Sequence, residues 1–197
     1  RFDDIDDYGS VANASSLVIG NSLSMSCWVW LENTAPSYPN YDGVLGFRNE
    51  SNCDFFILHY TTTSFEARFR NSAGTAYSLT ATGVQLNTWL HLALVYDGSD
   101  LIFYLDGAQV GSTPASGSIG SASTPFMLGR LDYQVTQFLL KGKLDEVSLW
   151  SKALSAGEIQ CIYESGIDLL ASDLEIYYEM NQGTAGGNNA GIATLQN

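Results

Sequence analysis

The sequence predicts an all-β protein built as two packed antiparallel layers with one short helix. Apolar and polar residues alternate with a period of two in segment after segment, and clusters of Gly, Asn, Asp and Ser separate those segments. The 3.6-residue periodicity of amphipathic helices is nearly absent. The chain of 197 residues is long enough for one sizeable core and holds nothing that reads as a linker between equal halves, so a single domain over 1–180 is expected.

The elements follow in order. "SLSMSCWVWL" (22–31) and "DFFILHY" (54–60) are apolar on both faces, as strands are when a second layer covers their sheet. "FEARFR" (65–70) puts Phe65, Ala67 and Phe69 on one side and Glu66, Arg68 and Arg70 on the other, which leaves one face wet. In "WLHLALVYDGSDLIFYLDGAQVG" (89–111), Leu90, Leu92, Leu94 and Tyr96 alternate before Asp97-Gly98, and Leu101, Phe103 and Leu105 alternate before Asp106-Gly107. Asp-Gly favours tight hairpin turns because both central residues take positive φ, so three consecutive antiparallel strands are expected.

The one helical segment is "LSAGEIQCIYESG" (154–166), giving a helix near 155–165. Ser155 and Glu158 have capping-box spacing, Ile159, Ile162 and Tyr163 form an apolar stripe, and Gly166 supplies the stop. "ASDLEIYYEM" (171–180) alternates as a last strand, and the Gly/Asn-rich residues 181–197 read as a tail or linker toward a following module.

Eight basic against 21 acidic residues give a formal charge of -13, which opposes nucleic acid and anionic membranes, because both need clustered Lys and Arg. No apolar run approaches the ~18 residues of a spanning helix, so no membrane insertion is expected, and the N-terminus has no signal-like basic and apolar regions. Three cysteines are too few for a disulfide scaffold, so the core must hold the fold.

"RFDDIDDYGSV", "SLSMSCWVWL", "NTWLHLALVYDGSDLIFYLDGAQVG", "FMLGR", "GKLDEVSLWSKALSAGEIQCIY" and "DLEIYYEMNQGTAGGNNAG" occur in an order that resembles laminin-G-like, concanavalin A-like jelly-roll domains, in particular their pentraxin-like branch, over residues 2–180. The resemblance implies a curved two-sheet antiparallel sandwich in a bacterial secreted or surface protein, hence extracellular or cell-surface, with a last strand that completes a sheet or begins a neighbouring repeat. It also places Cys27 where pentraxins have half of a disulfide; Ala93 stands at the partner position, which makes Cys27 a buried thiol.

Asp145 and Glu146 lie side by side in "GKLDEVSLW". Neighbours on a regular strand point to opposite faces, so the pair fails as an acid and base facing one cleft, and no E-x-D-x-x-E segment of the jelly-roll glucanases occurs. Parity puts Asp145 on the side of Val147 and Leu149, and an inward carboxylate needs backbone N–H groups, a basic side chain or a cation. Calcium suits such oxygen donors, and in the resembling family the N-terminal segment runs close to this strand, so Asp145 with Asp3, Asp6 and Asp7 forms the candidate metal set. The alternative is that backbone N–H groups satisfy Asp145 while the N-terminal aspartates are solvated.

The pentraxin resemblance implies a second calcium-dependent ligand site between two loops, to which Asn49, Glu50, Asn52, Asp54 and Asp132 could contribute oxygens. A sugar site without metal needs an exposed aromatic ring with fork-like hydrogen-bonding groups beside it, and Tyr38, Tyr41, Tyr133, Arg68 and Arg70 are the candidates. Trp28, Trp30, Trp89 and Trp150 sit in strand patterns and are expected in the core. Together these readings favour a non-enzymatic module that binds carbohydrate, a cell-surface glycan or a protein within a larger adhesin-like protein, stabilised by calcium. The alternatives are a spacer or protein-interaction module without a small-ligand site and a glycan-active enzyme.

Overall fold

The computed structural model describes residues 1–12, 14, 20–120 and 124–180, so the tail over 181–197 lies outside the described residues. In chain order they form β1 (Phe2–Asp3), β2 (Gly9–Val11), β3 (Leu23–Leu31), β4 (Asp42–Phe47), β5 (Asp54–Thr61), β6 (Ser64–Arg70), β7 (Ala76–Thr82), β8 (Trp89–Tyr96), β9 (Asp100–Leu105), β10 (Ala108–Pro114), β11 (Phe126–Leu128), β12 (Arg130–Tyr133), β13 (Thr136–Leu139), β14 (Lys141–Trp150), the helix α1 (Ala156–Ser165) and β15 (Leu174–Tyr178). One sheet has the order β1-β14-β3-β8-β9-β10, with β15 also on β14; the other has the order β2-β11-β4-β5-β6-β7. All strand pairings within them among the described residues are antiparallel, which is the two-sheet jelly-roll sandwich.

The core lies between the sheets, and period-two alternation decides its members. Met25, Cys27 and Val29 of β3 and Leu90, Leu92 and Leu94 of β8 face Phe55, Ile57, Phe65, Ala67 and Phe69 of β5 and β6. Rings lock the layers together: Phe69 stacks on Tyr96 at a centroid distance of 4.0 Å, and Phe65 lies 5.9 Å from Phe103. A polar pair is built into this layer. The fully buried Asp42 of β4 pairs with His59 Nδ1 through Oδ2 at 2.6 Å, and its Oδ1 accepts from the backbone N–H of Lys141, in the opposite sheet, at 3.1 Å.

The same alternation moves three tryptophans out of the expected core. Cys27, Val29 and Leu31 are the inward set of β3, so Trp28 and Trp30 face outward, and Trp89 is 37% exposed beside them. Trp150 is buried, but beneath the helix rather than between the sheets. Cys27 stands opposite Leu92, not Ala93, and forms no disulfide; its burial pushes the thiol pKa well up.

The two hairpins after β8 differ. Asp106 and Gly107 both have positive φ (48° and 77°), as the tight two-residue turn requires. At Asp97 only Gly98 has positive φ, and the Asp97 carboxylate instead accepts the N–H groups of Ser99 and Asp100, each at 2.8 Å. The helix begins where the capping box predicts: Ser155 accepts from the Glu158 N–H at 3.3 Å, and Glu158 accepts from the Ser155 N–H at 2.7 Å. Its Ile159 and Ile162 pack on Ala93, Val95, Tyr104 and Trp150 over the outer face of the seven-stranded sheet. β15 pairs with Val147–Trp150, so this last strand completes the sheet. No helix among the described residues is long and apolar enough to cross a membrane.

The outer face of the six-stranded sheet carries the β12–β13 hairpin, whose Leu131 and Phe138 pack on Phe56 and Leu58. Gly43 makes this docking possible, because a Cβ there would lie 2.4 Å from Leu131 N and 2.6 Å from Phe138 O. Substituting Gly43→Ala therefore forces the hairpin off β4. The expected cost is about 1–3 kcal/mol, a fall of several degrees in Tm, measured by thermal unfolding.

Candidate functional site

The expected metal residues divide into two places. Asp3, Asp6 and Asp7 are exposed, with ligand oxygens within 4.8 Å of one another, and Asp3 Oδ1 also accepts from Ile5 N–H at 2.9 Å. Burial, then repulsion from Asp3 and Asp6, raises the Asp7 pKa, a repulsion that a cation would relieve. Asp145 is not brought to them. β1 meets β14 at Lys141 and Gly142, and Asp145 lies four residues further along, roughly 13 Å at ~3.3 Å per residue. The donors thus fit a hard cation through three carboxylates with solvent completing the shell, and not through the four-residue set.

The structure also corrects the parity of Asp145. Asp145 pairs with Trp28 and Ser148 with Ser26, so two residues of β14 oppose the single Cys27. This is a β-bulge, with Glu146 held at φ 46°. The extra residue flips the phase: Val147 and Leu149 face the core, whereas Asp145 points outward. Asp145 and Glu146, expected on opposite faces, line one depression of about 280 Å3 with Trp28 and Trp89. Asp145 Oδ1 accepts from the Glu146 N–H at 3.0 Å, a backbone bond of the kind weighed as the alternative to a cation.

Burial raises the pKa of both carboxyls, reinforced at Glu146 by Asp145 and Glu179. The same charges, after burial, push the nearby Tyr177 hydroxyl up to about 12. Beside Trp28, at 5.3 Å between ring centroids, His91 is driven down to about 4 by burial, and neither of its ring nitrogens hydrogen-bonds to a described residue.

The residues expected to offer ligand oxygens have them engaged by donors of their own or a neighbouring segment. Asn49 Oδ1 accepts the N–H groups of Ser51, Asn52 and Cys53, and Asn49 Nδ2 donates to Asn52 Oδ1. Asp54 accepts from the N–H groups of Asn49 and Glu50 through Oδ1 and from Arg70 Nε through Oδ2 at 2.7 Å. Asp132 takes both Nε and Nη2 of Arg130, at 2.7 and 2.9 Å. These contacts order the loops and do not converge on a common centre.

Tyr41, Tyr133 and Arg68 do converge. They line a pocket of about 210 Å3 on the outer face of the six-stranded sheet, together with Tyr38, Tyr60, Arg48 and Glu66, over a floor of Phe56, Leu58 and Phe138. Strand alternation on β5 and β6 supplies Phe56, Leu58, Tyr60, Glu66 and Arg68; the loop before β4 supplies Tyr38 and Tyr41; the docked hairpin supplies Tyr133 and Phe138. Tyr38 stands edge to face with Tyr41 and Tyr133, 6.4 Å from each, and Tyr41 lies tilted at 39° to Tyr60, 5.1 Å away. Tyr38 is 58% exposed, so one wall is open to solvent. Glu66 Oε1 holds Arg68 through Nε and Nη2, which leaves a charged hydrogen-bonding edge beside aromatic faces. Sequence reasoning missed Arg48, Tyr60, Glu66 and the Phe56 floor. The wet face of "FEARFR" was the available signal, since it places Glu66 and Arg68 on the side opposite the core.

A jelly-roll sandwich with an aromatic, hydrogen-bonding pocket on a sheet face defines a lectin-like class of domain. The chain belongs to the concanavalin A-like lectin/glucanases superfamily, whose laminin-G family model matches residues 3–160. It is similar to a solved structure from Bacteroides ovatus described as a carbohydrate binding protein, at a TM-score of 0.67 and 17% identity over 92% of this chain and 52% of that one. A heptameric SAP-like pentraxin from Limulus polyphemus shares the fold at a TM-score of 0.55 and 14% identity, over 81% of this chain and 80% of that one. The binding domain of botulinum neurotoxin DC in complex with SialylT does so at 0.58 and 10% identity, over 75% and 36%. The chain thus spans about half the length of the Bacteroides protein. No curated protein matches it in sequence.

Because the Glu146 carboxyl titrates above its unfolded value, the native state holds that proton more tightly, and the ionised form destabilises the fold above that range. Glu146→Gln is expected to raise Tm at pH 7 by about 1–2 °C, a gain kept small by solvent screening. The gap should close below about pH 4, as read by thermal melts across pH.

Proposed function

We propose that this chain is a non-enzymatic binding module that recognises carbohydrate at the tyrosine pocket, as part of a larger extracellular or cell-surface protein. One observation carries the reading: four tyrosines and the Arg68–Glu66 pair meet over an apolar floor on an open sheet face. Ring faces accept the C–H side of a pyranose, and the guanidinium and carboxylate edges fork to adjacent hydroxyls. Likeness to the Bacteroides structure described as carbohydrate binding supports it. Calcium enters as a stabiliser of the N-terminal segment, with Asp3, Asp6 and Asp7 as its oxygen donors.

A second reading, glycan cleavage, is favoured by one observation. The bulge puts Asp145 and Glu146 in one tryptophan-walled depression with raised carboxyl pKa values, the setting a general acid needs. The same incubations separate the two. Oligosaccharides that bind intact, with affinity lost about tenfold or more in Tyr41→Ala, support recognition. New reducing ends that disappear in Glu146→Gln support cleavage, and neither outcome on a broad glycan array leaves the protein-interaction role.

Chelation tests the cation separately. A cation bound only by the folded chain raises Tm, so exhaustive chelation is expected to lower it, and the loss should be absent in Asp6→Asn. An unchanged melt removes calcium from the reading.

A further inference from the structure

Arg48, just past the end of β4, is the least satisfied cation of the tyrosine pocket. Its side chain is 7% exposed, and its guanidinium lies against three rings, 4.9 Å from the centroid of Phe56, 4.8 Å from Tyr133 and 5.4 Å from Phe138. It donates no hydrogen bond to any described residue, and its Nε is enclosed without a partner. Among the described residues its one ionic contact is Nη2 to Glu50 Oε1 at 3.5 Å, too long for a hydrogen bond, and none of them donates to the buried Glu50 Oε1. Arg68 differs: its Nε and Nη2 are taken by Glu66, and its Nε also reaches Ser78 Oγ at 3.2 Å. The pocket therefore holds one neutralised guanidinium and one whose donors await an acceptor.

A guanidinium offers five N–H donors in a rigid plane, and burying them without acceptors is costly. Aromatic faces stabilise the charge but accept no N–H in its plane. A planar carboxylate or a sulfate matches the fork and forms charge-assisted bonds about twice as strong as those to a neutral hydroxyl. We infer that the pocket binds an acidic glycan, with Arg48 receiving a carboxylate or sulfate borne by the sugar while the tyrosines hold the ring. The inference rests on the carbohydrate reading above and names its ligand class. The formal charge of -13 restricts the ligand further, because a dense polyanion meets long-range repulsion that a single acidic substituent largely escapes.

The test uses matched trisaccharides in the glucose, galactose and mannose series. Each is prepared in four forms: neutral, C6 uronate, uronate methyl ester and 6-sulfate. All are titrated into the full chain by calorimetry. In at least one series the acidic form is expected to bind about tenfold more tightly than its neutral counterpart. If the acid is a carboxylate, esterification abolishes that gain; if it is a sulfate, the gain appears in the sulfated arm alone. Arg48→Gln should bring acidic and neutral forms within about twofold of each other, a comparison made within one variant and so independent of any loss of stability. Neutral forms binding as tightly as acidic ones in every series would overturn this inference and leave the carbohydrate reading standing. Binding by none of the forms would overturn both.

Discussion

Two antiparallel sheets bury their inner faces against each other, and that burial determines which residues are left for anything else. Along β3, β5, β6 and β8 every second side chain is committed to the layer of Leu, Phe, Val and Ile between the sheets. The alternate residues are displaced outward whatever their chemistry, which is why tryptophans as large as Trp28 and Trp30 lie outside the core. Function must therefore be built on the outer faces, from groups the core did not take.

The two outer faces are finished differently. On the seven-stranded sheet, α1 covers Ala93, Val95 and Tyr104 and stacks Tyr163 on Trp28 at 5.5 Å, leaving Trp89 and the bulged carboxylates beside it. On the six-stranded sheet the covering is a short hairpin, seated because Gly43 lacks a side chain. A helix makes a broad lid, whereas a hairpin of two four-residue strands roofs only part of a sheet, so the uncovered ground beside it becomes the aromatic pocket. The two sites thus follow from the same rule, incomplete cover over a sheet whose inner side is already sealed.

Much of the architecture was legible because it depends on local pattern. The Ser155 capping box, the Asp106-Gly107 turn and the division of "FEARFR" into two faces all rest on residues within a few positions of one another. The bulge at Glu146 was not legible: one added residue reverses parity, and "LDEVSL" carries no Gly or Pro to announce it. The pocket was legible in part. Tyr41, Tyr133 and Arg68 could be proposed as a type of ligand group, but their meeting depends on the hairpin crossing β4, a contact between distant segments that no spacing encodes. Conversely, Asn49, Asp54, Arg70 and Asp132 have the composition of a site and the bonding of a scaffold, a difference visible only once each acceptor's donor is known.

The Asp42 carboxylate bears on how the layers move. Interdigitated side chains resist both separation and sliding, and a directional hydrogen bond between the layers adds to that resistance. A carboxylate fixed by His59 in one layer and reaching the Lys141 amide in the other works as a dowel between two planks. Shear of one layer past the other would strip the buried Asp42 carboxylate of its partners in a dry interior, so the lateral alignment of the sandwich is set near that point.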